Sequence, residues 1–270
     1  MTAFSLGTIW EETIAFVRKE SAVLVPVALA IFGPSQLLLA YGMSGTATMR
    51  TAAGAISRGE MLLVLSAALL LLFGNISVSL MVLVPGISVG EALSSAIRRM
   101  SKAIGAILLL SGGFIALGLI IVIVVTAVGL VVHADPRSRA VSDYAAVLIL
   151  VPTFLLLVRM LPLLPALATE QAGPVEIIRR VWALGRNNLI RFVGVWVLAM
   201  FLGLIVALIE FVIGSVVQLL RLAIGNAELL TVVEMLVNAA LGALLSLGMA
   251  VYLALVYRKL SGAGFRSPFE

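Results

Sequence analysis

The chain contains no cysteine, and its one histidine is His133. The lack of cysteine excludes disulfide staples, thiolate metal sites and cysteine nucleophiles. The single histidine excludes histidine pairs, zinc-binding helices, two-histidine haem ligation and a serine–histidine couple, because His133 stands in the polar loop segment HADPRSRAVS. Beside Asp135 it reads as a solvated loop residue rather than a metal site. There is no phosphate-binding loop ending in Gly-Lys-Ser/Thr, and GMSGT at Gly42 lacks the spacing of a nucleophile elbow. No catalytic residue, metal or cofactor is expected, and the protein is not expected to be an enzyme.

Charge is equally scarce. Charged residues make up 11% of the chain against 62% hydrophobic, and the mean hydropathy is +1.21. Soluble domains are about a quarter charged. A folded chain of 270 residues needs far more charge than this to coat a water-facing exterior, so lipid must cover the rest. The net charge of +5 does not indicate a nucleic-acid partner, since the basic residues fall beside apolar runs. Arginine outnumbers lysine 15 to 3, which together with abundant alanine and valine fits a GC-rich bacterial genome.

What the sequence has in quantity is long apolar runs. Stretches able to span a bilayer, about 20 residues each, lie at Ser21–Tyr41, Met61–Val84, Ile104–Val132, Tyr144–Ala168, Leu189–Val217 and Leu229–Tyr257. The expected fold is all-α: a six-span polytopic membrane protein forming a single domain over 1–270. No basic residue precedes Arg18, so the first span reads as an uncleaved helix. Twelve basic residues fall on one side: Arg18, Lys19, Arg98, Arg99, Lys102, Arg179, Arg180, Arg186, Arg191, Arg258, Lys259 and Arg266. Five fall on the other: Arg50, Arg58, Arg137, Arg139 and Arg221. That bias predicts both termini in the cytoplasm, in a cell membrane of the bacterial inner-membrane type.

An internal pattern repeats at offsets of about 84 residues. SLGTIWEETIAFVRKE, SVGEALSSAIRRMSKA and GPVEIIRRVWALGRNN each precede an odd-numbered span. In the second, Val89, Ala92, Leu93, Ala96, Ile97 and Met100 recur at helical spacing. Looser stripes run through Leu6, Ile9, Trp10, Thr13, Phe16 and Val17 in the first, and through Val175, Ile178, Val181, Trp182 and Gly185 in the third. Such helices lie in the headgroup plane. The expected unit is an interfacial amphipathic helix followed by a two-span hairpin, used three times over 4–85, 87–168 and 172–258.

The stretch RMLPLLPALATEQAGPVEIIRRVWALGRNNLIRFVGVW has an arginine before a proline-containing span end, a glutamate with Gly-Pro, an arginine–tryptophan amphipathic helix and a basic-aromatic start to the next span. GEALSSAIRRM reads as a second copy of part of it. These features resemble the membrane-domain family attached to some bacterial glycerophosphoryl diester phosphodiesterases, and its free-standing six-span relatives. The resemblance covers most of the chain and implies no catalysis, because in that family hydrolysis belongs to a separate soluble barrel.

Polar residues inside spans are expensive in lipid and are functional candidates. Arg159 stands about ten residues before the inner end of span four, and Asn75 holds the matching position in span two. Together they form either a shared polar site for a lipid headgroup or small anion, or a structural clamp in which Arg159 bonds Asn75 and carbonyls freed by Pro162 and Pro165. Arg98, Arg99, Arg179 and Arg180 on the amphipathic segments are the lipid-binding candidates. Glu210, Glu234, Asn238 and Arg221 are expected to form an outer polar cluster, either an ion-pair group or a proton- or cation-coupled site. Gly242, Ser246 and Ala250, and Gly203 with Ala207, are expected close-approach faces that seal the bundle or dock another membrane protein or a second copy.

Two functions fit. One is a lipid-interacting structural or accessory component of a membrane complex. The other is a small transporter or channel for an anion or lipid with its polar site at Arg159 and Asn75.

Overall fold

The computed structural model describes residues 5–49, 57–131, 139–186, 188–224 and 227–262. Among these, nine helices and no strand occur: α1 (Leu6–Lys19), α2 (Ser21–Met49), α3 (Arg58–Leu83), α4 (Val89–Val131), α5 (Arg139–Arg159), α6 (Leu163–Thr169), α7 (Pro174–Arg186), α8 (Leu189–Ile224) and α9 (Ala227–Ser261). Six helical stretches are long and apolar enough to cross a membrane. The chain is an all-α, multi-pass integral membrane protein.

Helix starts are set by short polar residues that satisfy orphan backbone donors. Ser57 and Glu60 form a capping box on α3. Ser88 and Glu91 repeat it on α4, with the Glu91 amide donating to Ser88 Oγ and the Ser88 amide to Glu91 Oε2. Between α3 and α4 the chain turns through Gly86 at φ +75°, a conformation that a Cβ disfavours.

Two expectations are corrected. The second amphipathic segment is not a separate interfacial helix, because it continues without a break into span three as the 43-residue α4. At 1.5 Å per residue α4 is about 65 Å long, twice the hydrocarbon thickness. Nothing in SVGEALSSAIRRMSKA stops a helix, whereas α1 ends at the bend of Glu20 and α7 ends at Arg186. Span four, by contrast, is two helices. Pro162 has no amide hydrogen and its ring excludes the regular ladder. The last turn of α5 tightens instead: the Met160 amide is shared between Leu156 and Leu157 carbonyls, and Leu163 donates to Met160. Pro26, Pro34 and Pro152 sit inside α2 and α5, which run on through them.

The long helices close into a ring. α2 packs on α3, α3 on α4, α4 on α5, α5 on α8, α8 on α9 and α9 again on α2, while α3 touches α9 across the middle. The short α6 packs against α3, α4, α7 and α9 and is almost wholly buried. α1 lies beside α9 rather than across it. The Leu6 carbonyl accepts from Tyr252 and Glu12 meets Lys259, pairs 246 and 247 residues apart, so the two helices run in step. Both ends of the described chain therefore sit at one end of the bundle.

Burial follows packing of small side chains, as expected where lipid supplies no hydrophobic drive between helices. Ala92, Ala96, Ala103 and Ala106 line the inner face of α4, and Ala243, Ala250 and Ala254 that of α9. Gly74 of α3 lets the Phe32 ring of α2 lie directly against its backbone. Beyond Ala106, α4 has no buried described side chain, and α8 exposes apolar residues over most of its length.

Candidate functional site

At the end that carries both termini, Glu170 organises a network. It follows α6, whose last carbonyls have no helical partners. Arg99 supplies donors to Leu167 O at 3.5 Å and Glu170 O at 3.2 Å, and Lys102 donates to Gln171 O at 3.0 Å. The Tyr257 hydroxyl donates to Glu170 Oε1 at 2.8 Å. Arg180 pairs with Glu170 at 3.4 Å and with Glu176, one turn earlier on α7, at 2.8 Å. Of the four arginines expected to bind lipid, Arg99 and Arg180 thus have protein partners. Arg98 and Arg179 are exposed, and Arg98 bonds only its neighbour Ser95.

The rotation of α4 explains Arg99. Its buried face is centred on Ala92, Ala96 and Ala103, whereas Ile97, on the same apolar stripe, is 64% exposed. The alanines allow close approach, and Arg99 lies on their side, where a cation at the C-terminus of α6 is favourable. α7 is turned similarly. Ile177, Val181 and Gly185 are buried, whereas Val175 and Trp182 are 58% and 39% exposed. On α1 the expected stripe turns inward as a set, with Ile9 and Thr13 buried.

Arg159 closes α5 and lies against α7. Its guanidinium stands 4.6 Å from the Trp182 ring centroid. A Cβ on Gly185 would come within 3.3 Å of the Arg159 Cβ, Cγ and carbonyl oxygen, so glycine is what admits the arginine stem. Arg159 Nε is buried with no hydrogen-bond partner. The expected bond with Asn75 does not form: the Asn75 amide donates to its own helix, at Leu71 O, 2.8 Å away. Asn75 and Arg159 are not brought together as a clamp.

At the other end, Arg221 and Glu234 form a 2.7 Å ion pair between α8 and α9. Gly214 makes room for it, since a Cβ there would lie 3.1 Å from Glu234 Oε1. Asn238 Oδ1 and Arg221 Nε are buried without partners. Glu210 lies one turn before Gly214 on α8 and Asn238 one turn after Glu234 on α9, and among the described residues no bond joins the two. Among the described residues no three His, Cys, Asp or Glu side chains gather as a metal-binding group. His133 and Asp135 lie outside the described residues.

No family model, curated protein or solved structure matches the chain.

Two contacts were not anticipated from the sequence. Gln36 of α2 donates to Ser246 of α9 at 3.3 Å, and its side chain fills the space left by Gly242. Glu12 of α1 holds both Lys259, at 2.6 Å, and Arg258, at 3.6 Å. A lone glutamine fifteen residues into an apolar span was the available signal for the first. The Gly242–Ser246–Ala250 stripe does pack inside the chain, whereas among the described residues a Cβ on Gly203 would meet nothing within 4 Å, and Ala207 is exposed.

Proposed function

We propose that the protein is a non-catalytic component of a bacterial inner membrane that engages anionic lipid at its basic, cytoplasmic end. The observation that carries this is the split among the arginines of that end. Arg99 and Arg180 are tied to Glu170 and α6, while Arg98 and Arg179 are exposed and have no acidic partner among the described residues. Each basic residue held near an anionic membrane surface contributes about 1 kcal/mol of attraction. A membrane-domain relationship to the glycerophosphoryl diester phosphodiesterase family, built from three repeats of amphipathic segment and hairpin, belongs to the same proposal. The transporter reading places Asn75 and Arg159 in one central site; Asn75 donating within its own helix and Arg159 stacking on Trp182 favour the lipid-engaging reading over it.

The test is lipid exchange on the full chain in nanodiscs containing phosphatidylglycerol and phosphatidylcholine. Arg98→Gln and Arg179→Gln should each lower the preference for phosphatidylglycerol by about fivefold. A wild-type chain that shows no preference between the two lipids contradicts the proposal.

A further inference from the structure

Arg179, Trp182 and Arg186 are spaced at i, i+3 and i+7 on α7, which puts them on one helix face. All three are exposed. Arg159 reaches this face from α5 and lays its guanidinium over Trp182, its stem fitting closely against Gly185. Trp182 thus carries Arg159 on its ring and shares its helix face with Arg179 and Arg186. Among the described residues no carboxylate pairs with Arg159, Arg179 or Arg186, while every nearby acid is already engaged: Glu170 with Tyr257 and Arg180, Glu176 with Arg180.

Among the described residues the Arg159 guanidinium has no hydrogen-bond partner. Arg159 has its Nε buried and unpartnered, and the stack on Trp182 satisfies none of its five N–H donors. Stacking does fix the plane of the guanidinium, and a fixed planar fork is suited to two oxygens of one phosphate. One turn before Arg159 on α5, Leu155 is exposed, as is Ile190 at the start of α8. Tryptophan at a lipid–water boundary is itself favourable.

We infer that the Arg179–Trp182–Arg186 face of α7, with Arg159 folded onto it, binds the phosphate of an anionic phospholipid headgroup, its acyl chains lying along the exposed α5 and α8 side chains. This rests on the lipid-engaging role of the basic end and names one specific site within it. A free phosphate offers the same oxygens but would leave the apolar flank uncovered, so a diacyl lipid is the occupant the surface fits.

Native mass spectrometry of the full chain, delipidated and titrated in detergent with phosphatidylglycerol, phosphatidylcholine or inorganic phosphate, tests the site. The wild type should retain one phosphatidylglycerol more tightly than the rest, and Arg159→Gln and Arg186→Gln should each weaken that molecule about tenfold or more. Arg159→Lys keeps the charge but loses the planar fork, and should fall between. Arg98→Gln should leave this one lipid in place. Should Arg159→Gln fail to fold, Arg186→Gln carries the test, because its side chain is exposed. Wild-type retention in both variants overturns the site while the broader lipid preference stands. Full displacement of the lipid by millimolar inorganic phosphate overturns the lipid assignment, and absence of any phosphatidylglycerol preference in the wild type overturns the site and the broader role together.

Discussion

Replacing Arg99 by glutamine should destabilise the protein, although Arg98→Gln next to it should not. The Arg99 guanidinium caps α6 through Glu170 O at 3.2 Å, with a second, marginal contact to Leu167 O at 3.5 Å. A hydrogen bond from a charged donor is worth about 1.5–3 kcal/mol, and partial exposure with a long distance places this one at the lower end. A cation near a helix C-terminus adds roughly 0.3–1 kcal/mol. The expected loss is therefore about 2 kcal/mol. For a chain of this size that corresponds to roughly 4–8 °C in Tm. Arg98 bonds only Ser95 on its own helix, in an exposed position, and its replacement should cost under about 0.5 kcal/mol. Thermal unfolding of both variants in the same detergent, followed by tryptophan fluorescence, gives the comparison. Equal shifts for the two, or a shift below about 1 °C for Arg99→Gln, would refute the assignment of Arg99 to α6 and return it to the lipid-facing set.

Two more changes probe the packing. Arg221→Met should destabilise more than the Arg221→Met/Glu234→Gln double variant, because the single change leaves a partly buried carboxylate without its 2.7 Å partner; a thermal-shift cycle in which the double variant is the less stable contradicts the pairing. Gly74→Ala should cost about 1–3 kcal/mol, since a Cβ there meets the Phe32 ring, and Phe32→Leu in the same chain should recover part of it by chemical denaturation in micelles.

The spans were legible because uninterrupted apolar runs of this length have few other uses, and the break in span four was marked by Pro162 and Pro165 standing three residues apart. The rotation of α4 was not. The apolar stripe grouped Ala92, Ala96 and Ile97 on one face of an interfacial helix, but the contact face between helices belongs to small residues, and Ala92, Ala96 and Ala103 decide it while Ile97 faces outward. On α7 likewise the stripe did not separate Val181 and Gly185, which are buried, from Val175 and Trp182, which are exposed. Pairing across distance was also hidden: Gln36 meets Ser246 from 210 residues away, and no local periodicity links them. Arg159 was legible as costly, yet its partner was sought on the matching hairpin at Asn75, when it lies on the amphipathic segment that follows.

The central claim, a six-span bundle whose basic end faces the cytoplasm, is most directly tested by cysteine labelling, for which the cysteine-free chain gives no background. Ser101, exposed on α4 at the basic end, and Glu228, exposed in the first turn of α9 at the other, are each replaced by cysteine in intact cells. An impermeant maleimide should label Glu228→Cys at once and Ser101→Cys only after the membrane is permeabilised. Labelling of Ser101→Cys from outside with protection of Glu228→Cys would invert the orientation and remove the basic end from the cytoplasmic leaflet, and labelling of both from outside would contradict the six-span arrangement itself.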